Sequence, residues 1–236
     1  MKTEEHFMEN IDYTVFAKYF DHTLLKPTAT EKEIIELCRE ANDYRFASVC
    51  VNLSNVELAH TKLDSEIKVC TVIDFPFGVS TGKQKYLQVK EAHNLRVSEV
   101  DVVIDIAKLL QGKVTHCVSD LRELTSFAHE NNMLVKIIVE TCYLDEAHIE
   151  MACQVVEESA ADYIKTSTGY GTRGASFEDI VLFKKYLHKD TKIKASGGIK
   201  TLDEVQKYIS LGCERIGTSR AVSIMNEALS KNLIAK

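Results

Sequence analysis

Short apolar runs separated by segments of helical pattern recur along the chain, and this alternation limits the possible folds more than any other feature. Each run is rich in β-branched residues and almost continuously apolar, which is typical of strands buried in a parallel sheet. We interpret eight runs as strands, at residues 19–25, 46–52, 67–75, 99–106, 134–141, 161–167, 191–197 and 213–219. The pattern therefore predicts a chain that alternates between strands and helices.

Five of the intervening segments have the pattern of an α-helix. They span residues 30–44, 82–95, 144–159, 176–187 and 201–212. The first begins with Thr30, which is followed three positions later by Glu33, as in a capping box. Gly212 stands where the last of these helices would need its C-cap.

Eight strands alternating with helices over 236 residues predict an α/β fold, specifically a (β/α)8 TIM barrel, whose usual length is about 250 residues. We expect a single domain over residues 1–236, with residues 1–18 as an N-terminal extension or helix. The chain has two prolines and no Pro- or Ser-rich stretch that resembles a linker. An open doubly wound sheet gives the same alternation and is the alternative, although no G-x-G-x-x-G motif follows the first strand.

The composition argues against several classes of partner. A formal net charge of −6 does not suit a protein that neutralises a nucleic-acid backbone. No apolar run approaches the roughly 20 residues needed to cross a bilayer, and the acidic start lacks the apolar core of a signal peptide. The seven cysteines are an odd number without a C-x-x-C pair, so we interpret them as reduced core residues of a cytoplasmic protein.

Three charged residues interrupt otherwise apolar strands. Lys165 lies at the end of the sixth strand, Lys194 late in the seventh and Asp101 midway along the fourth. In a (β/α)8 barrel, catalytic groups lie at the carboxyl ends of the strands, so inward-pointing side chains here would converge. A structural alternative is a lysine that pairs with a carboxylate or extends to solvent from the strand end, but two such lysines facing one carboxylate favour a functional role.

Two crowded lysines suit the formation of an imine. A lysine attacks a carbonyl only as the free amine, and its reference pKa of about 10.4 must fall to about 7–8 for activity near neutrality. This difference corresponds to about 4 kcal/mol. A second ammonium about 5–6 Å away supplies about 3 kcal/mol at an effective dielectric constant of about 20, and partial burial can supply the remainder. Charge alone leaves open which lysine is the nucleophile.

Glycine-rich turns after the last two strands predict a phosphate site, because barrels commonly bind phosphate there at a helix N-terminus. The candidate residues are Gly197, Gly198, Gly217 and Ser219. The histidines form no ligand-like pair with a cysteine or carboxylate motif, so we expect neither a metal nor another cofactor.

Six segments resemble, in order and at similar spacing, the strand motifs of the deoxyribose-phosphate aldolase family. They are DHTLLKP (21–27), EVDVVIDI (99–106), VKIIVETC (135–142), ADYIKTSTGYGTRGAS (161–176), IKASGGIKT (193–201) and RIGTS (215–219). The similarity covers residues 19 to 226 and is most specific in the two lysine motifs. It implies a reversible retro-aldol cleavage of 2-deoxy-D-ribose 5-phosphate to D-glyceraldehyde 3-phosphate and acetaldehyde.

The resemblance also implies roles for individual residues. Lys165 would form the Schiff base, Lys194 would perturb its pKa, and Asp101 would relay a proton with help from water. The implied substrate contacts are Asp21, Thr23, Cys50, Thr166 and Thr168, although the apolar strand around Cys50 favours a packing role for that residue.

Four charged residues depart from the usual family pattern: Asp74, Asp105, Arg173 and Arg220, which is followed by a further departure at Ala221. Arg220 could pair with the phosphate or narrow its pocket. A Schiff-base aldolase for another short phosphorylated sugar, and a silent sugar-phosphate-binding barrel, are therefore alternatives. The expected partners are a sugar phosphate and an aldehyde, without nucleic acid or membrane, and the oligomeric state stays open, with a homodimer among the outcomes.

Overall fold

The computed structural model describes residues 11–235, in which strands and helices alternate as expected. The strands are Ile11–Asp12 (β1), Phe20–Leu24 (β2), Ser48–Val51 (β3), Lys68–Ile73 (β4), Glu99–Val103 (β5), Leu134–Ile138 (β6), Tyr163–Lys165 (β7), Lys192–Ser196 (β8), Arg215–Thr218 (β9) and Ile234–Ala235 (β10). The helices are Tyr13–Ala17 (α1), Glu31–Tyr44 (α2), Val56–Lys62 (α3), Gly82–Asn94 (α4), Ile106–Leu110 (α5), Val114–Glu130 (α6), Glu146–Glu158 (α7), Phe177–Tyr186 (α8), Leu202–Ser210 (α9) and Ala221–Ser230 (α10).

Strands β2 to β9 form a closed barrel in which each strand pairs in parallel with its neighbours in sequence. The barrel closes through β2 and β9, where Asp21 pairs in register with Gly217. This closure confirms the predicted (β/α)8 barrel and excludes the open doubly wound sheet. The strands are shorter than the apolar runs suggested, because the residues at the run ends belong to the loops that form the site.

The five predicted helices are present within two residues of their expected limits. Thr30 begins α2 with a capping box, since its hydroxyl accepts from the amide of Glu33 and its own amide donates to the Glu33 carboxylate. Gly212 follows the C-cap of α9 with a φ of +99°, a conformation that glycine adopts without steric cost. The longest helix, α6, lies outside the predicted set, although Leu121, Leu124 and Ala128 carry the spacing that would have indicated it.

The main hydrophobic core lies between the outer face of the barrel and the surrounding helices. Residues such as Val49, Ile164 and Ile193 on the strands pack there against the apolar faces of the helices. All seven cysteines are free, and every one except the partly exposed Cys142 is buried, as the core interpretation predicts. Within residues 11–235, no helix is long and apolar enough to span a bilayer.

The described ends of the chain meet at the amino-terminal end of the barrel. Strand β1 pairs in parallel with β10, and Lys18, directly after α1, donates to the carbonyl of Phe46, two residues before β3 begins. The tail as far as Ala235 therefore lies away from the carboxyl ends of the strands. Of the predicted N-terminal extension, residues 1–10 lie outside the described part of the chain.

Candidate active site

The carboxyl ends of β2, β7, β8 and β9 surround a cavity of about 420 Å³. Lys165 ends β7 and lines this cavity, whereas Lys194 and Asp101 are fully buried beside it in the barrel interior. The other predicted residues that line the cavity are Thr23, Thr168, Gly197, Gly198, Gly217, Ser219 and Arg220. Most of the residues selected from separate strand ends thus share one pocket.

One carboxylate oxygen joins the two lysines. The Nζ atoms of Lys165 and Lys194 each lie 2.7 Å from Oδ2 of Asp101. The two nitrogens can therefore be no farther apart than about twice that distance, which agrees with the separation expected from the sequence. Each lysine is held in place by a charge-assisted hydrogen bond rather than extending to solvent.

A second set of charges, which the sequence analysis missed, lies next to this group. Lys136 on β6 contacts Oδ1 of Asp101 at 2.9 Å and Oε2 of Glu99 at 2.6 Å, and it lies 3.8 Å from Asp21. Arg215 on β9 forms ion pairs with Asp21 and Glu99. The signal was available for Lys136, which interrupts an apolar strand run, whereas Glu99 begins its run.

The buried ion pairs hold these groups in their charged forms. Burial alone would raise the pKa of Asp101, but Lys136, Lys165 and Lys194 outweigh it and hold that pKa well below its usual range. Burial likewise opposes the charge on Lys194, yet Asp101 and Asp21 raise the pKa of Lys194 above its ordinary value. The pKa of Lys136 is also raised, because Asp101 and other nearby acidic groups outweigh burial.

The ion pairs are unevenly shared among the cations. Among the described residues, Lys136 has three carboxylate partners, Lys194 and Arg215 have two each, and Lys165 has only Asp101. Four cations thus share the carboxylates of Asp21, Glu99 and Asp101, which leaves one excess positive charge when every group is ionised. Lys165, the cation of this network with the fewest acidic partners, is therefore the least compensated of the four.

The remaining residues proposed as substrate contacts lie outside the cavity lining. Asp21 is fully buried and pairs with Lys194 at 2.5 Å, so it supports the lysine rather than facing a sugar hydroxyl. Thr166 joins β7 to β8 by hydrogen bonds to the backbone of Ser196. Cys50 packs in a small apolar cluster with Leu25, which agrees with the packing role favoured for it.

The glycine turns leave open backbone around one end of the cavity. Gly197 and Gly198 have φ values of +85° and +77°, which glycine adopts far more readily than other residues. A Cβ on Gly217 would lie 3.1 Å from Cε of Lys194, so this glycine gives the lysine side chain room. Ser219 and Arg220 line the cavity just before α10 begins, and a helix N-terminus attracts an anion.

The cavity residues that were not singled out from the sequence include Lys26, Tyr170 and Lys200. Tyr170 reaches from the loop after β7 to the loop after β2, where its hydroxyl donates to the carbonyl of Leu25 at 3.0 Å. The two lysines add positive charge to the pocket wall. Such a pocket can hold a small anion even though the chain as a whole is acidic.

Among the described residues, Cys50, Cys70 and Asp101 place possible metal ligands within 4.8 Å of one another. The Asp101 carboxylate already accepts from Lys136, Lys165 and Lys194. A cation would have to enter beside three ammonium groups, so the arrangement suits an ion-pair network better than a metal centre.

Three of the unusual residues support loops outside the cavity lining. Asp74 pairs with the buried Lys85 at 3.2 Å, and Asp105 caps the start of α5. Arg173 pairs with Asp179 through two hydrogen bonds and thereby fixes the loop between β7 and α8. Of the four charged departures, only Arg220 therefore touches the pocket.

Comparison with known proteins matches most of the chain. The family model described as DeoC/LacD family aldolase matches residues 15–219. Deoxyribose-phosphate aldolase of Treponema denticola is 54% identical over 209 residues, which cover 88% of this chain and 97% of the relative. Deoxyribose-phosphate aldolase of Malacoplasma penetrans is 48% identical over 94% of this chain and 99% of the relative.

A solved structure shares the same fold over nearly the whole chain. The tetrameric deoxyribose phosphate aldolase of Aeropyrum pernix superposes with a TM-score of 0.82 at 27% identity, covering 91% of this chain and 90% of that chain. The similarity thus includes all eight strands of the barrel and the two lysine motifs within the matched segment.

Proposed function

The chain belongs to the DeoC/LacD family of aldolases, and from this membership we propose that it cleaves 2-deoxy-D-ribose 5-phosphate reversibly to D-glyceraldehyde 3-phosphate and acetaldehyde. The proposal assigns the Schiff base to Lys165. A single observation carries this assignment: Lys165 faces the cavity with one carboxylate partner, while the adjacent Lys194 is held between two.

In the proposed reaction, the free amine of Lys165 attacks C1 of the open-chain sugar, and loss of water leaves a protonated imine. The imine withdraws electrons as the C2–C3 bond breaks, while the hydroxyl on C3 gives up its proton and becomes the aldehyde of glyceraldehyde 3-phosphate. The remaining two-carbon enamine takes a proton on C2, and water then hydrolyses the resulting imine to acetaldehyde and the free lysine.

Asp101 is the proposed proton relay. It bonds to both lysines, and its pKa lies well below the usual range because three lysines outweigh the effect of burial. Its position against both lysines is what supports the role, because a proton-transfer group must lie within hydrogen-bond reach of the groups that it serves. Lys194 remains a cation and places a fixed positive charge beside the Lys165 nitrogen, which opposes a second positive charge there.

We place the phosphate at Gly197, Gly198, Gly217 and Ser219, with Arg220 as a charged contact at the pocket edge. Gly197 and Gly198 follow β8, Gly217 lies near the end of β9, and Ser219 and Arg220 follow β9. Lys200 lines the same cavity. The sugar chain would then extend from this end of the pocket to Lys165, past Thr23 and Thr168.

Trapping the intermediate tests this proposal directly. Incubation with acetaldehyde and sodium borohydride, followed by peptide mass spectrometry, should give a reduced two-carbon adduct on Lys165 that Lys165→Met lacks. Lys200→Met, which removes a lysine from the cavity wall, is the matched control and should keep the adduct. An unmodified wild-type protein would favour the silent sugar-phosphate binder.

Steady-state cleavage distinguishes the two aldolase alternatives. Deoxyribose 5-phosphate should be cleaved with a higher kcat/KM than ribose 5-phosphate or other short sugar phosphates. An adduct on Lys165 without cleavage of the deoxy sugar would point to an aldolase with another substrate.

We also propose that residues 1–236 act as one catalytic domain without a cofactor. The free cysteines support a cytoplasmic location. The Aeropyrum pernix relative is tetrameric, so we expect this chain to form a homo-oligomer, and analytical ultracentrifugation would distinguish a dimer from a tetramer.

A further inference from the structure

We propose that Lys136 is a positioning residue for the reaction, and that together with Glu99 it sets the pH range in which Lys165 can form the imine. The inference rests on the proposed function and deepens it. Lys136 is fully buried and does not line the cavity, so it acts through Asp101 rather than by touching the substrate.

The contacts of Lys136 place it between the two carboxylates of β5. Its Nζ lies 2.9 Å from Oδ1 of Asp101 and 2.6 Å from Oε2 of Glu99. Asp101 and Lys136 are also directly paired in the register of β5 and β6. Lys165 binds the other oxygen of the same carboxylate, so Asp101 is a bridge between the two lysines.

The charge of Lys136, unlike its packing, changes the free energy of protonating Lys165. Three carboxylates and four cations make up the network, so it is neutral when Lys165 is a free amine. Removal of the Lys136 charge would make the network neutral with Lys165 protonated instead. Removal of the Glu99 charge would act in the opposite direction, because it increases the excess of positive charge.

The ion-pair network that includes Lys165 has members on five other strands: Asp21 on β2, Glu99 and Asp101 on β5, Lys136 on β6, Lys194 on β8 and Arg215 on β9. Cys50 on β3 and Glu140 after β6 also interact electrostatically with Lys165, and Cys70 on β4 contacts Asp101. The charged and titratable side chains that share the cavity with Lys165 are Lys26, Tyr170, Lys200 and Arg220. Glu140 forms no ion pair with the network, but it accepts hydrogen bonds from the amide and hydroxyl of Thr168 and interacts electrostatically with Lys165 in every variant compared below. The proposal singles out Lys136 and Glu99 because they reach Lys165 only through this network.

The test compares Lys136→Met, Glu99→Gln and the double variant K136M/E99Q. The rate of borohydride trapping with acetaldehyde is measured for each between pH 5 and pH 10. In Lys136→Met, we expect the pH at which the trapping rate is half of its maximum to lie about one to two units higher than in wild type. In Glu99→Gln, this pH midpoint should fall by a smaller amount. In the double variant, the midpoint should lie close to the wild-type value.

The opposite directions separate this role from a purely structural one. A variant that only loosened the site would trap more slowly at every pH without moving the midpoint, and such a result for both single variants would overturn the inference. If Lys136→Met does not fold, as judged by circular dichroism, the downward shift of Glu99→Gln still decides the question. Absence of any adduct in wild type would instead defeat the proposed function, so the two failures are distinguishable.

Discussion

Replacement of Lys194 by leucine tests how the charge beside the nucleophile controls the reaction. The Nζ atoms of Lys165 and Lys194 both lie 2.7 Å from Oδ2 of Asp101, so they are no more than about 5.4 Å apart. Two unit charges at that limit repel by about 3 kcal/mol at an effective dielectric constant of about 20. Loss of this repulsion corresponds to about two pH units. Since Asp21 and Asp101 also lose a shared cation, the pH midpoint of imine formation should rise by at least that amount.

The assay is the trapped adduct on Lys165 as a function of pH, measured by intact mass. Lys194→Leu should trap slowly at pH 7 and recover towards pH 10, whereas Lys194→Arg keeps the charge and should retain a midpoint nearer to that of wild type. Lys192→Met is the matched control, because Lys192 lies on the same strand but is exposed and pairs with Glu214. If the pH midpoint of trapping in Lys194→Leu equals that of wild type, the proposal that the Lys194 charge keeps Lys165 unprotonated is refuted.

Two other perturbations address the phosphate site and the buried carboxylates. Arg220→Gln should raise KM for deoxyribose 5-phosphate several-fold while leaving cleavage of unphosphorylated deoxyribose unchanged; equal effects on both sugars would place Arg220 outside phosphate recognition. Asp21 and Asp101 have folded-state pKa values below their unfolded values despite burial, because the adjacent cations outweigh it. They therefore contribute stability above about pH 4 that is lost as the pH falls. The free energy of unfolding, measured by chemical denaturation, should therefore decrease less between pH 5 and pH 3 in Asp21→Asn than in wild type. An equal decrease in both proteins would contradict the ion-pair assignment.

The sequence indicated the order of elements because the patterns that carry it are local. The near-continuous apolar runs and the capping residues of α2 act within a few neighbouring positions, so all eight barrel strands were found. The same reasoning identified Lys165 and Lys194 as unusual, because a lysine inside an apolar strand is costly unless it has a partner. Lys136 stands in an equally apolar strand, so the same rule also predicts a buried partner for it.

Asp21 shows the limit of arguments from motif position. The sequence places it two residues before Thr23 on β2, and the resemblance implied that both contact the substrate. Residues two apart on a strand point to the same face, so Asp21 and Thr23 share a face of β2 but lie at different depths along it. Thr23 reaches the cavity, while Asp21 is buried against Lys194 and Arg215.

The sequence by itself determined the alternation of strands and helices, the barrel as the favoured closure and the two lysines as the chemical centre. Only the tertiary structure decided which charges meet, because the partners are far apart along the chain: 194 residues separate Arg215 from Asp21, and 93 separate Lys194 from Asp101. Closure of the barrel brings these groups into one buried volume, where charges interact strongly because little water screens them.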